Sequence, residues 1–402
     1  MQKISKKTVV SIVCFLVILQ FTQCKQSSAT DTGKLVEIDI SKKYPVKEIY
    51  LQDIAKVEYI PLETNNSTLI KPNLMRIYVS DDYIITTNPS DGDIFVFDGK
   101  GKSKFSFNHK GQGPTEYNNL FGGIVFDEKA KEIFIFNRFS SSRKIIVYAE
   151  DGEFKRTLAN TPDIQDIDLY NFDDETLLVY DISGVYDQYI SDQIILSNKP
   201  YMLMSKKDGS IVDTININLS LRISDAVLWQ EGEYTYSVSV PINNNRSFGK
   251  DYLIADWSSD TIYRLTSQRE LQPMFVRKPP VLETEPKILI SNFLITEKFI
   301  LFGVYVMDYN ILRKGGNINS KQLMYDFNTG EINEYRFKNK DITTSTDTRI
   351  WEAVTPENTG VCMYNADLLF SLDDKGELKG DLKELLKSID EEDNPILMKI
   401  KF

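Results

Sequence analysis

Lys110-Gly-Gln-Gly-Pro-Thr-Glu-Tyr-Asn-Asn-Leu-Phe-Gly-Gly-Ile-Val-Phe-Asp127 is the stretch around which the chain is organised. Gly111 and Gly113 open backbone angles closed to other residues and Pro114 fixes the next φ, so a tight, shaped connection is expected. The apolar run Gly122–Phe126 then reads as the first strand of a new sheet. The polar gap Asp127–Glu132 turns the chain into Ile133–Phe136. A glycine-rich connection followed by short strands is how a repeated sheet unit begins.

An apolar strand followed by a polar turn with glycine recurs along the chain. It is seen at Ile94–Gly101, Ile145–Gly152, Met202–Gly209, Leu323–Gly330 and Leu368–Gly376. Each reads as an outer hairpin whose turn wants positive φ. The glycines lie 51, 57, 121 and 46 residues apart, and Asp260–Leu265 fills the long interval as a hairpin without glycine. Six units result. Ile94–Phe97 and Ile133–Phe136 are apolar on both faces, which suits sheets pressed between neighbours. One short C-terminal helix is expected, with Asp381-Leu-Lys-Glu384 as a capping box and Leu382, Leu385, Leu386 and Ile389 on one face. The chain ends with Ile396, Met398, Ile400 and Phe402 on one side of a strand, and Val57–Leu62 is a strand before any complete unit. A ring must not leave its first and last sheets unpaired. The expected fold is therefore all-β: a six-bladed β-propeller closed by strands from both termini, with Pro61 at a strand end or on an edge.

Gly-x-Gly-Pro-x-Glu-Tyr-Asn, Gly-Ile-Val-Phe-Asp, Ile-Phe-Ile-Phe-Asn and Lys-Ile-Ile-Val-Tyr, all between Gly111 and Tyr148, resemble an NHL-type propeller repeat. With Val57–Thr64, Asp260–Leu265 and the ending Glu392–Met398, the chain resembles the six-bladed β-propeller lipoproteins of Gram-negative bacteria. That resemblance implies the fold and leaves the activity open.

Lys3, Lys6 and Lys7, the apolar run Val9–Phe21 and then Cys24 read as a secretory signal. Cys24 resembles a lipoprotein processing site, with Gln23 where a small residue is usual. The alternative is ordinary cleavage nearby, leaving Cys24 free. The expected organisation is a signal over 1–23, a polar tether over 24–34 and the propeller over 35–402. The address is outside the cytoplasm, lipid-anchored to the outer membrane and facing the periplasm or the cell surface. Cys14 leaves with the signal, so only Cys362 remains in the body and a disulfide framework is excluded there. Removing three lysines and no acid takes the formal net charge from −11 to −14. That balance argues against nucleic acid and anionic headgroups as partners.

The single histidine, His109, excludes a multi-histidine zinc site or a two-histidine mechanism within one chain. Lys110-Gly-Gln-Gly-Pro lacks the Lys-Ser/Thr of a phosphate loop. The acidic set Asp163, Asp166, Asp168, Asp173 and Asp174 could offer oxygen ligands to calcium, but it lacks the glycine of a calcium loop and alternates like a strand. Asp390–Asp393 reads as a turn. Arg138 and Arg143 bracket a loop of the same unit that Glu116 and Tyr117 lead into. These four are the candidate ligand-binding residues at the channel mouth. The competing reading is that Glu116 and Tyr117 brace the connection. Trp229, Trp257 and Trp351 could stack on sugars or lie in the core. No catalytic residue, metal or cofactor is assigned. The expected role is a monomeric, non-catalytic binding protein of the cell envelope for a protein, peptide or glycan, touching the membrane through its lipid only. The alternatives are a metal-dependent hydrolase or lyase at the channel mouth, and a structural scaffold.

Overall fold

A computed structural model describes residues 35–71, 77–138, 144–159, 166–185, 196–217, 219, 222–223, 226–239, 245–344, 346–350, 353–355 and 357–402. Blade 1 consists of Tyr78–Val79, Tyr83–Asn88, Asp93–Asp98 and Ser103–Asn108. Blade 2 consists of Ile124–Asp127, Glu132–Phe136, Ile145–Ala149 and Phe154–Thr157. Blade 3 runs through Ile167–Asn171, Thr176–Asp181, Tyr201–Ser205 and Ile211–Thr214. Blade 4 uses Asn245–Phe248, Asp251–Ile254, Thr261–Leu265 and Leu271–Lys278. Blade 5 uses Lys287–Ile295, Phe299–Met307, Asn319–Asp326 and Ile332–Lys338. Blade 6 joins Thr359–Tyr364 and Ile396–Lys401 to Lys56–Pro61 from the other end of the chain. This is the six-bladed propeller that the repeat spacing predicts.

Strand alternation explains the doubly apolar strands. Ile133 and Ile135 pack with Ile85, Ile94 and Val96 of blade 1, whereas Phe134 and Phe136 pack with Leu169, Leu177 and Val179 of blade 3. Further apolar cores lie between blades 3 and 4, 4 and 5, 5 and 6, and 6 and 1. Each blade is thus wedged between two neighbours, and the hydrophobic effect acts around the whole ring. The core between blades 6 and 1 contains Ile60, Val361, Met363 and Leu397 against Val79, Ile84, Phe95 and Phe97.

Closure has a defined register. Ile396–Lys401 pairs with Thr359–Tyr364 on one side and, from Ile396↔Pro61 to Lys401↔Lys56, with the N-terminal strand on the other. Pro61 is the last residue of its strand, as its missing amide requires. The buried Lys399 reaches from this blade to blade 1, donating to Ser80 O and Asp81 Oδ1, each at 2.7 Å. Nearer the axis, Val79 N donates to Val354 O and Val354 N to Ile77 O, both at 2.9 Å.

Two strands were not legible in the sequence. Val36–Asp39 adds in parallel to the outer strand of blade 4, and Val46–Tyr50 in parallel to that of blade 5. The segment from 36 to 61 therefore steps along the outer edges of three consecutive blades and covers edges that would otherwise template aggregation.

Two expectations need correction. Leu368–Gly376 is not a hairpin: Ala366–Asp374 is a helix, burying Ala366 and Leu369 three residues apart. Gly376, at φ 71°, ends it by helix-terminal hydrogen bonds, Gly376 N to Asp373 O and Glu377 N to Leu372 O. The same glycine signature serves a β-turn or a helix end, and here it serves the latter. The second correction concerns Asp381, which is not an N-cap: the helix Gly380–Leu385 starts earlier, after Lys379, with no side-chain cap. Its predicted apolar face holds, with Leu382 and Leu386 buried.

Antiparallel order gives the ring two distinct ends. The turn end carries the tight turns joining first to second and third to fourth strands. The connection end carries the links between second and third strands and between blades. Two insertions sit at the connection end: the hairpin Ala226–Glu231 with Tyr234–Ser239, between blades 3 and 4, and the helical segment 365–395 within blade 6.

Candidate functional site

The connection from His109 to Gly123 leads into blade 2 and holds two of the four predicted ligand-binding residues, Glu116 and Tyr117. Gly111 and Gly113 do not have positive φ, so the expected reason for these glycines is corrected. The reason is space. A Cβ on Gly111 would lie 1.9 Å from Glu116 Oε2, which folds back to accept Gly113 N at 2.7 Å. Tyr117 is fully buried; its hydroxyl donates to Gly92 O at 2.7 Å and accepts His109 N at 3.0 Å. Burial holds the Tyr117 phenol well above its ordinary range. His109 stacks on Tyr148 with ring centroids 5.1 Å apart, and its Nε2 lies 2.8 Å from Gly152 O. Lys144 and Tyr148 donate to Pro114 O and Thr115 O. Glu116 therefore braces the connection itself, while Tyr117 and His109 tie it to blades 1 and 2.

Arg138 lies at the connection end of blade 2 and is directed at blade 3. Its Nε is 2.5 Å from Asp166 Oδ1 and its Nη2 is 3.3 Å from Asp168 Oδ1, while Nη2 also donates to Ile167 O at 3.2 Å. Burial pushes the Asp166 carboxyl up to about 6, a shift that the nearby Arg138 cation only partly offsets. This is a half-buried ionic link between two blades at the connection end. Arg143 lies outside the described residues, as do Phe139–Ser142, Asp163, Cys24 and Trp351.

The remaining acidic residues do not converge. Asp173 Oδ1 accepts Glu175 N and Thr176 N within its own turn, and Asp174 pairs with Lys129. Asp390 N donates to Asp393 Oδ2, the expected turn. Among the described residues, no three His, Cys, Asp or Glu side chains group so as to hold a metal ion. Cys362 is buried on a blade 6 strand, and burial pushes its thiol up to about 12, which leaves it a poor nucleophile.

The channel itself is lined by Tyr78, Phe126, Tyr170, Asn171, Arg246, Tyr252 and Val354, from the inner strands of blades 1, 2, 3 and 6 and the first two strands of blade 4. Arg246 Nη1 donates to Ala353 O at 2.7 Å, and Tyr252 donates to Asn171 O at 2.5 Å. The space left is about 50 Å³. That admits a few waters but falls well short of the roughly 300 Å³ of ordinary small-molecule sites. Sequence reading missed Arg246 because the inner strand of blade 4, Asn245–Phe248, is short and mostly polar.

Trp257 is buried in a core with Val281, Leu289 and Met307, and Trp229, from the inserted hairpin, is partly buried against the same core. Trp229 stacks on Tyr236 with centroids 5.5 Å apart and 19° between planes, and the Arg313 guanidinium lies 5.9 Å from its ring centre. Tyr234, on the same hairpin face, is 72% exposed.

Solved structures share this fold. The chain is similar to an exported-protein candidate of Bacteroides fragilis NCTC 9343, at 17% identity and a TM-score of 0.63, over 92% of this chain and 99% of that one. A member of the duf4221 family from Bacteroides vulgatus is 11% identical, with a TM-score of 0.46 over 86% and 96% of the two chains. A virginiamycin B lyase from Staphylococcus aureus is 11% identical, with a TM-score of 0.37 over 87% and 99%. No curated protein matches the chain. Residues 35–401, nearly the whole propeller, match the family described as domain of unknown function DUF4934, and the chain belongs to that family.

Proposed function

We propose that the protein is a non-catalytic binding propeller of the cell envelope, exported, held by a lipid on Cys24, and presenting its connection end to a protein, peptide or glycan. One observation carries this reading: the two ends of the ring differ in chemistry. Leu69, Phe121, Tyr234, Tyr236, Leu282, Ile311 and Leu368 are all exposed, and all lie in segments of the connection end. The turns of the opposite end, among the described residues, expose no large apolar side chain. They read Asp98-Gly-Lys-Gly-Lys102, Glu150-Asp-Gly-Glu153 and Lys206-Lys-Asp-Gly-Ser210. Of the other exposed apolar groups, Val46, Tyr50, Phe154 and Val212 belong to outer strands, Leu35 and Ile54 to the N-terminal segment beside them, and Val354 lines the channel. Exposed apolar groups gathered on one face mark interaction surfaces, whereas scattered ones need no explanation. A glycine-rich, charged turn end is what a solvated face requires. Export is supported by the sequence of 1–24 and by the exported-protein candidate that shares the fold, and the lipid anchor by Cys24 at the end of the apolar run.

The test is site-specific photocross-linking in intact cells, with a benzophenone amino acid placed at Tyr234 or at Lys207. A discrete adduct from Tyr234 and none from Lys207 is the expected result. Equal labelling from both positions, or none from either, contradicts the reading. A parallel Cys24→Ser chain should leave the membrane fraction, and retention there would contradict the anchor.

A further inference from the structure

Blade 5 is one five-stranded sheet that opens at the connection end. Asn319–Asp326 stays paired with Phe299–Met307 along its length, from Val306↔Asn319 to Phe299↔Asp326. Its other partner, Ile332–Lys338, follows it only from Tyr325↔Ile332 to Leu323↔Glu334. Beyond that point the outer strand pairs with Val46–Tyr50 instead, as far as Tyr50↔Lys338. The blade therefore splits at the connection end into two ribbons, and the strand edges facing the split lose the ladder partners they would otherwise share. A cavity of about 300 Å³ opens there. Ser320 and Gln322 line one ribbon and Tyr335 and Phe337 the other, with Phe293 and Tyr305 from the inner strands. The Tyr335 hydroxyl and Gln322 Oε1 lie 3.5 Å apart across the split, and Thr348 N donates to Phe337 O at 2.7 Å.

The charge of the cavity runs against that of the chain. Arg336 and Arg349 both line it, both are exposed, and among the described residues neither has a carboxylate partner. Asp347 is already neutralised by Lys338 at 2.6 Å, and the Lys321 ammonium is turned away to Lys42 O at 2.7 Å. Only Glu334 is left against the two guanidinium groups. A protein with formal net charge −11 thus keeps two unneutralised arginines at a polar cleft with aromatic walls. Guanidinium forks match carboxylate, sulfate and phosphate groups. The volume lies at the lower end of that found for small-ligand sites.

We propose that the split in blade 5 is a binding site for a small organic anion, a ring-sized molecule bearing one carboxylate, sulfate or phosphate that Arg336 and Arg349 grip. Phe293 and Tyr305 of this site adjoin the core against which Trp229 of the hairpin packs, but the inference stands independently of the partner reading above. The test is calorimetric titration of the chain from Lys25 onward, at fixed ionic strength, with glucuronate, N-acetylglucosamine 6-sulfate, glucose 6-phosphate and uncharged glucose. At least one anion should bind and glucose should not, and the anion that binds identifies the acidic group. Arg336→Ala with Arg349→Ala should weaken that binding by at least about tenfold, the loss of one charge-assisted hydrogen bond or more. The double lysine variant, which keeps the charge and the fold, should bind with intermediate affinity. The proposal is overturned if none of the anions binds, if glucose binds equally well, or if the alanine variant, folded by circular dichroism, binds as the parent does. A failure here leaves the Tyr234 cross-linking result untouched.

Discussion

Ile400→Ala probes whether the last strand is part of the fold or a loose end. Ile400 is third from the C-terminus, yet it is fully buried between Gly360 and Val57 on the two flanking strands and lies in the core shared by blades 5 and 6. The substitution removes three carbons, worth about 0.8 kcal/mol each, or about 2.4 kcal/mol of transfer free energy. The residual cavity adds to this, because a backbone held by strands on both sides collapses little, and the total should reach about 3–5 kcal/mol. The neighbouring Lys401→Ala, at an exposed position on the same strand, should cost less than about 1 kcal/mol. Urea unfolding of the chain from Lys25 onward, followed by tryptophan fluorescence, measures both. A frayed terminus would give about 0.5 kcal/mol or less for Ile400→Ala, and that result would refute the proposed clasp.

Asp166→Asn tests the link between blades 2 and 3. Burial raises the folded-state Asp166 carboxyl from 3.8 to about 6, so between these values the folded protein holds a proton that the unfolded chain has released. The stability contributed by Asp166 is therefore fully present below about pH 4 and lost as pH rises through about 6. Relative to Asp166→Asn, the parent should lose up to about 3 kcal/mol between pH 4 and 7, at about 1.4 kcal/mol per unit. A difference that stays flat or grows with pH would contradict this. Lys206→Ala should cost about 3–5 kcal/mol, because it strands the buried Asp127 carboxylate that Lys206 Nζ holds at 2.6 Å. Chemical denaturation checks it, and a cost below about 1 kcal/mol would show that the pair does not hold blades 2 and 3 together.

Much of the fold was legible because a propeller writes itself locally. Phe134 and Phe136 must be apolar for one neighbour and Ile133 and Ile135 for the other, so blade strands stand out from half-wet ones. Turn glycines at Gly101, Gly152, Gly209 and Gly330 have the positive φ that a tight turn needs. At Gly101 a Cβ would also come within 2.2 Å of Pro61 O, where blade 1 meets the closing strand. The parallel strands Val36–Asp39 and Val46–Tyr50 escaped notice because Val46–Tyr50 is largely exposed and the alternation of Val36, Ile38 and Ile40 is too short to stand out before the first repeat. Their pairing is decided by the edges of blades 4 and 5, far away in sequence.

The candidate site was less legible, for a different reason. Glu116 and Tyr117 stand in a conspicuous motif, yet Glu116 accepts Gly113 N within the connection and the Tyr117 hydroxyl donates to Gly92 O of blade 1. Arg138 is tied to the next blade, because its partners Asp166 and Asp168 come from there. Arg336 and Arg349 have no local signature at all. Their proximity depends on one strand leaving its partner after Glu334, a tertiary event that no pattern in either segment announces.

A single cross-link bears most directly on the closed ring. Lys56 and Lys401 are exposed and directly opposed across the paired terminal strands. Replacing both with cysteine in the chain from Lys25 onward should give a disulfide on mild oxidation, with Cys362 remaining inert. Closing a loop of about 345 residues should raise unfolding stability by as much as about 6 kcal/mol on the chain-entropy estimate, seen as a higher urea midpoint that reverts on reduction. If the pair stays reduced while the protein is folded, or forms without any gain, the two ends of the chain do not meet in one blade.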